Sequence, residues 1–261
     1  MERRHFLKGV SLAALGLPLT GFTPLLPASS DLVTRKIFVT GGEYDLATIK
    51  YLISLTGKAQ PRICYLPTPV GDSEVYITRW HKVAAALSLE PIVQKVFVTS
   101  TEQQTGFEDT LLSVDAILVT GGNTLNTIAL WKAHGLDTIL RKAWEKGIVL
   151  SGPSAGAICW FEQGLSDSRP KELSVVEGLG FLEGSNCPHY HSEKNRRDVY
   201  QQLIASKKLK PGYACDDKAG LYFEGTKLKQ VITQDAGSKA YRVELAHGQL
   251  KETALEPAVQ L

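Results

Sequence analysis

Short apolar runs alternate with amphipathic stretches through the first two-thirds of the chain. Lys36-Ile37-Phe38-Val39-Thr40 is apolar throughout and stops at Gly41-Gly42, which predicts a buried strand. Residues 45–55 read as a helix. Arg62-Ile63-Cys64-Tyr65-Leu66 reads as a second strand, stopped by Pro67 and Pro69. Residues 73–87 have helical spacing, with Val75, Trp80, Val83, Ala84 and Leu87 on one side. Residues 91–98 predict another strand. Ala116-Ile117-Leu118-Val119-Thr120 predicts one more, ending at Gly121-Gly122-Asn123. A pair of helices broken near Gly135 follows. Gly147 hands over to Ile148-Val149-Leu150, a strand before Ser154, and Ile158-Cys159-Trp160-Phe161 reads as the apolar helix after it.

Strands alternating with helices, several apolar on both faces, predict an α/β fold: a mostly parallel sheet flanked by helices on both faces. In such a sheet the working groups gather at the carboxyl ends of the strands. Thr40-Gly41-Gly42, Thr120-Gly121-Gly122 and Gly152-Pro153-Ser154 are three such ends, expected to converge on one rim. After Ala219 the pattern changes. Residues 220–223, 228–233 and 240–245 read as short strands, joined by turns at Glu224-Gly225 and Ala236-Gly237, with His247-Gly248 as a further hairpin turn. They predict a C-terminal antiparallel β extension of the same domain.

The chain has 261 residues, 43% hydrophobic and 21% charged, which is ordinary for a globular protein with a sizeable core. A net charge of +2 provides no basic stripe, so nucleic acid is not an expected partner. The body carries no strongly apolar uncharged span of membrane-crossing length. Residues 1–30 differ: Arg3-Arg4-His5-Phe6-Leu7-Lys8 precedes a mildly apolar stretch and then Pro27-Ala28-Ser29-Ser30. This resembles a twin-arginine export signal, although Glu2 stands where Ser or Thr is usual, and it implies an exported or periplasmic protein. Its removal leaves 26 basic and 26 acidic residues in a single domain, 31–261. Cys64, Cys159, Cys187 and Cys215 form no C-x-x-C, so no metal site is expected. They read as buried thiols, with Cys187 and Cys215 the pair best suited to oxidation.

The chemistry centres on Gly152-Pro153-Ser154-Ala155-Gly156-Ala157. A serine on a sharp strand-to-helix turn is exposed and has backbone N–H groups beside it, as a nucleophile requires. Small neighbours suit the strained backbone of such a turn. The serine needs a base, and the base an acid to orient it. His5 lies in the leader, His81 and His134 in helical patterns, and His247 in a hairpin turn. His189 and His191 remain; they alternate and would share a face of an extended segment. Position does not choose between them. For the acid, Asp167 follows the helix after Ser154, with Glu162, Glu172 and Glu177 as alternatives and a solvent-exposed turn as the plainer role.

Gly121-Gly122-Asn123-Thr124, the run around Ser154, Ser166-Asp167-Ser168 and Cys187-Pro188-His189-Tyr190 together resemble the peptidase E family of serine peptidases, which includes aspartyl dipeptidase and cyanophycinase. Tyr213-Ala214-Cys215-Asp216-Asp217 and Ala240-Tyr241-Arg242-Val243-Glu244 are supporting matches. The resemblance implies a class I glutamine amidotransferase-like fold without a cofactor. It implies Ser154 as nucleophile, His189 as base, Asp167 as third member, and the N–H groups of Gly122 and Ala155 as an oxyanion hole. A small peptide, with N-terminal Asp as the leading case, is the implied substrate. Asn123, Arg169 and Arg196 are the expected substrate contacts, with Lys194 and Arg197 as further cations. A branched-polymer hydrolase and a binding protein that has lost the reaction are the rival readings. A homodimer is the expected assembly, because symmetric dimers are commonest.

Overall fold

A computed structural model describes residues 33–97 and 105–261 of the chain. The leader read at 1–30 lies outside the described residues. Two sheets carry the fold. The strands, in chain order, are β1 (Lys36–Thr40), β2 (Arg62–Leu66), β3 (Glu90–Val93), β4 (Ala116–Val119), β5 (Val149–Pro153), β6 (Phe161–Arg169), β7 (Glu172–Glu177), β8 (Leu182–Cys187), β9 (Gly212–Cys215), β10 (Ala219–Glu224), β11 (Lys227–Thr233), β12 (Ala240–Ala246), β13 (Gln249–Leu255) and β14 (Val259–Gln260). The helices are α1 (Leu46–Thr56), α2 (Glu74–Ala85), α3 (Phe107–Leu111), α4 (Thr124–His134), α5 (Leu136–Glu145), α6 (Ala155–Ile158) and α7 (Arg196–Ala205).

The larger sheet runs β14-β11-β10-β1-β5-β4-β2-β3, and β1, β5, β4, β2 and β3 are mutually parallel. Both faces of these strands are covered, which is why they read as unbroken apolar runs. Alternation divides them. Ile37, Val39, Ile117 and Val119 face α4 and α5, packing with Trp131, Leu140 and Trp144. Phe38, Tyr65 and Leu118 face α1 and α2, packing with Ile49, Leu52 and Trp80. Local signals set the helix ends. Asp45 caps α1 by accepting from the Thr48 N–H at 2.9 Å, and Gly57 and Gly135 close α1 and α4 at φ 70° and 73°.

Three expectations are corrected. The helix after Ser154 is a single turn, α6, and Phe161 opens a strand, so Glu162 and Asp167 lie on β6 rather than in or after a helix. Packing decides this: a Cβ on Gly164 would lie 2.5 Å from Ile158 and 2.9 Å from the Asn186 carbonyl, so β6 runs too close to β8 for helix diameter. Second, the C-terminal strands divide between sheets. β10 extends the larger sheet antiparallel to β1 and β11 pairs antiparallel with β10, whereas β12 and β13 join a second sheet, β13-β12-β9-β8-β6-β7. Third, residues 189–192 form a turn and not an extended segment. The second sheet packs α7 through Leu165, Cys187, Tyr190, Tyr200, Ile204 and Val243.

Candidate active site

The ends of β1, β4, β5, β8 and β9 meet at the carboxyl rim. Ser154 directly follows β5, and its backbone has φ 50° and ψ −116°, outside the regions an L-residue prefers. Neighbouring packing holds it there. The Ser154 N–H donates to the Thr40 carbonyl at 3.1 Å. A Cβ on Gly152 would lie 2.7 Å from Gly156, and one on Gly156 would lie 2.4 Å from the Val119 carbonyl. Only glycine at both positions lets α6 press against the ends of β4 and β5, and that pressure fixes the turn.

β8 and β9 are parallel neighbours. His189 stands two residues past the end of β8, and Asp217 two residues past the end of β9. Their adjacency therefore follows from the pairing. His189 Nε2 lies 2.8 Å from Ser154 Oγ, and its Nδ1 lies 2.7 Å from Asp217 Oδ1. The Ser192 hydroxyl donates to the same Asp217 oxygen at 2.8 Å. His189 also has a positive φ, 54°, so both reacting side chains ride on strained backbone. Gly41 and Gly42 make room for the segment carrying Asp217: a Cβ there would lie 2.2 Å from the Asp216 carbonyl and 2.6 Å from that of Asp217.

On the other side, Gly122 has φ 137° and lies against Pro69, whose carbonyl would be 2.3 Å from a Cβ. Gly121 and Gly122 line a cavity of about 130 Å³ together with Ser154, His189, Glu43, Tyr44, Tyr76 and Arg79. Arg79 donates to Glu43 at 2.5 Å, a bond that raises the guanidinium pKa and keeps it charged. Burial raises the Tyr44 phenol, so it remains a neutral wall. All four cysteines are buried free thiols whose pKa burial raises, at Cys64 to about 12, so none is a rival nucleophile.

The structure brings Ser154, His189, Gly122 and Ala155 together. It does not bring Asp167 to them. Asp167 is 69% exposed on β6, 3.8 Å from Arg196, because the strand that replaces the expected helix carries it away from His189. The three expected substrate contacts are also occupied elsewhere. Asn123 caps α4 by accepting from the Asn126 N–H, and its amide donates to the Ser168 carbonyl at 3.0 Å. Arg169 bonds Ser174 and Val175 across the β6–β7 hairpin. Arg196 is 2% exposed and bonds Glu193 and the Leu165 carbonyl. None of these three lines the cavity, whereas Arg79 and Glu43 do. His191 bonds Asp216 instead of Ser154.

An α/β fold with a serine, a histidine and an aspartate in line at the strand ends has the arrangement of a serine hydrolase. Sequence comparison places this chain within that class. The chain belongs to peptidase family S51, whose sequence profile matches residues 37–231. It is 44% identical over 211 residues to the uncharacterized peptidase YgaJ of Bacillus subtilis (strain 168), spanning 81% of this chain and 90% of that protein. It is 25% identical over 194 residues to peptidase E of Shewanella denitrificans, spanning 70% of this chain and 75% of the relative. Among solved structures, a peptidase from an acI-B1 actinobacterium superposes with a TM-score of 0.65 at 18% identity. That match covers 86% of this chain and 98% of the other, and it supports the same fold.

Proposed function

We propose that the chain hydrolyses small peptides through Ser154, His189 and Asp217 by way of an acyl-enzyme. The observation that carries the reading is the continuous line from Ser154 Oγ through His189 to Asp217, at 2.8 and 2.7 Å. His189 Nε2 takes the hydroxyl proton as Ser154 attacks the peptide carbonyl. Asp217 accepts the Nδ1–H, fixes the tautomer and stabilises the imidazolium. The N–H groups of Gly122 and Ala155 receive the oxyanion, each donor contributing about 3 kcal/mol where such groups have been removed from other enzymes. His189 then protonates the leaving amine, and water, with His189 again as base, releases the acid.

The cavity of about 130 Å³ beside Ser154 is the candidate site for one substrate side chain. Arg79 is the cation suited to an acidic side chain at the N-terminal position, in place of Arg169 and Arg196. Its pair with Glu43 is about half exposed on both sides, and exposed pairs of this kind are weak enough for a substrate carboxylate to displace.

Hydrolysis of Asp-Xaa, Glu-Xaa, Ala-Xaa and isoaspartyl-Xaa dipeptides by the wild type and by Ser154→Ala tests the proposal. Cleavage of the acidic members, lost in the variant, is the expected result. Cleavage that persists in Ser154→Ala would overturn the mechanism. Twin-arginine export through Arg3-Arg4-His5-Phe6-Leu7-Lys8 is a separate proposal, tested by whether exchanging Arg3 and Arg4 for Lys blocks export.

A further inference from the structure

The turn 189–192 and the segment 216–217 carry the other two members of the proposed triad, His189 and Asp217, yet they come from separate loops. Three side-chain bonds cross between them. One is His189 to Asp217. The second is Ser192 to the same Asp217 oxygen, at 2.8 Å. The third joins His191 Nδ1 to Asp216 Oδ1 at 2.7 Å. Only the first belongs to the proton path.

The other two are built into their surroundings. Asp216 Oδ2 accepts the Lys239 N–H at 2.9 Å, and the Asp216 N–H donates to the Lys239 carbonyl at 3.0 Å. Asp216 is thereby tied to the approach of β12. The His191 ring packs against Tyr190 and Tyr241, with centroids 4.9 and 5.2 Å away. The Tyr190 N–H donates to the Cys215 carbonyl at 3.1 Å, so the backbone joins the loops at the same level. His189 lies between these ties on a backbone of φ 54°, a conformation that persists only where neighbours impose it. Asp217 is 47% exposed, and a carboxylate that open needs something to fix its rotamer.

We infer that His191 and Ser192 are positioning residues that clamp the two loops and hold the His189–Asp217 pair in line with Ser154. The inference rests on the triad proposed above. Ser192 acts on the carboxylate itself by donating to the oxygen that faces His189. His191 acts one residue away by anchoring Asp216, and with it the path of the chain into Asp217. Neither touches the reacting atoms.

The test uses the full chain and an acidic dipeptide, with Asp217→Ala as reference. His191→Ala and Ser192→Ala should each lower kcat about tenfold and leave KM within about twofold, since they misplace groups without altering the substrate pocket. His191→Asn keeps a donor at the Nδ1 position and Ser192→Thr keeps the hydroxyl, so both should recover most of the loss. A loss confined to packing would instead follow melting temperature and show no recovery in His191→Asn. The nitrogen-15 spectrum of the His189 imidazole reads the same question without a substrate. Loss of the Nδ1-protonated form in His191→Ala is the expected result, and an unchanged spectrum would overturn the clamp. If Asp217→Ala lowers kcat while both alanine variants keep wild-type kcat, the clamp is wrong and the triad stands. If Asp217→Ala keeps wild-type kcat, both are wrong.

Discussion

Asp217 faces His189 at 2.7 Å from a position 28 residues further along the chain, each residue lying two positions past the end of one of two paired strands, β9 and β8. Adjacent parallel strands ending at the same level bring these two residues together. Asp217→Ala should lower kcat by about 10²–10⁴-fold, the range set by losing the group that orients a catalytic histidine. Asp167→Ala should leave kcat within about twofold, because its carboxylate is largely exposed and pairs at long range with Arg196. Steady-state kinetics of the two variants side by side check both statements. The reverse ranking would return the third position to Asp167.

Gly42 lies against Asp217 so closely that a methyl group would be 2.6 Å from its carbonyl oxygen and 2.8 Å from its Cβ. Gly42→Ala should therefore push Asp217 away from His189 and lower kcat about 10–100-fold. Gly57→Ala is the control. It lies at φ 70° in open space, so it should cost about 1 kcal/mol of stability and leave kcat unchanged. Kinetics with thermal melts distinguishes displacement of the carboxylate from general loss of fold.

The parallel strands and the serine turn were legible because each rests on local chemistry. An apolar run between glycines reads as a buried strand wherever it packs, and Gly152, Ser154 and Gly156 report their own steric needs. Asp217 was not legible from spacing, because what brings it to His189 is the pairing of β8 with β9, a long-range event. Its signal was present: Asp216-Asp217 closes a short β-rich run, as His189 does after Cys187. Asp167 misled because Ile158-Cys159-Trp160-Phe161 is apolar without interruption, and such a run does not distinguish a helix from a buried strand. The pocket residues Glu43 and Arg79 lie on a loop and a helix with no motif, and the fold alone joins them.

Glu252 ties the last hairpin to the helix behind the catalytic turn. Its carboxylate accepts two bonds from Arg197, at 2.9 and 3.0 Å, and one each from Tyr190 and Gln201. Burial works to raise its pKa, but the bonds from Arg197 and Tyr190 outweigh it and leave the pKa below the ordinary glutamate value. A depressed folded-state pKa gives stability that is complete above the unfolded value, about 4.3. That stability is lost as the pH falls through the folded value. Glu252→Gln should therefore melt about 2–4 °C below wild type at pH 7, with the gap closing below about pH 4. Melting curves across pH check this. A gap that stays constant into acid would mean that the carboxylate charge contributes nothing.

Arg79 and Glu43 are bonded to each other in the lining of the cavity that Ser154 opens into, and that bond sets opposite expectations for the two residues. Arg79→Met should raise KM for an Asp-Xaa dipeptide about 10–100-fold, the equivalent of one charge-assisted hydrogen bond. It should leave Ala-Xaa unaffected. Glu43→Gln removes the internal competitor for the guanidinium, so KM for Asp-Xaa should fall while kcat holds. Both variants keep the volume of the pocket nearly constant, so a change of shape does not imitate the result. If Glu43→Gln raises KM for acidic substrates instead, Glu43 serves the substrate directly, and the carboxylate rather than the guanidinium reads the N-terminal residue.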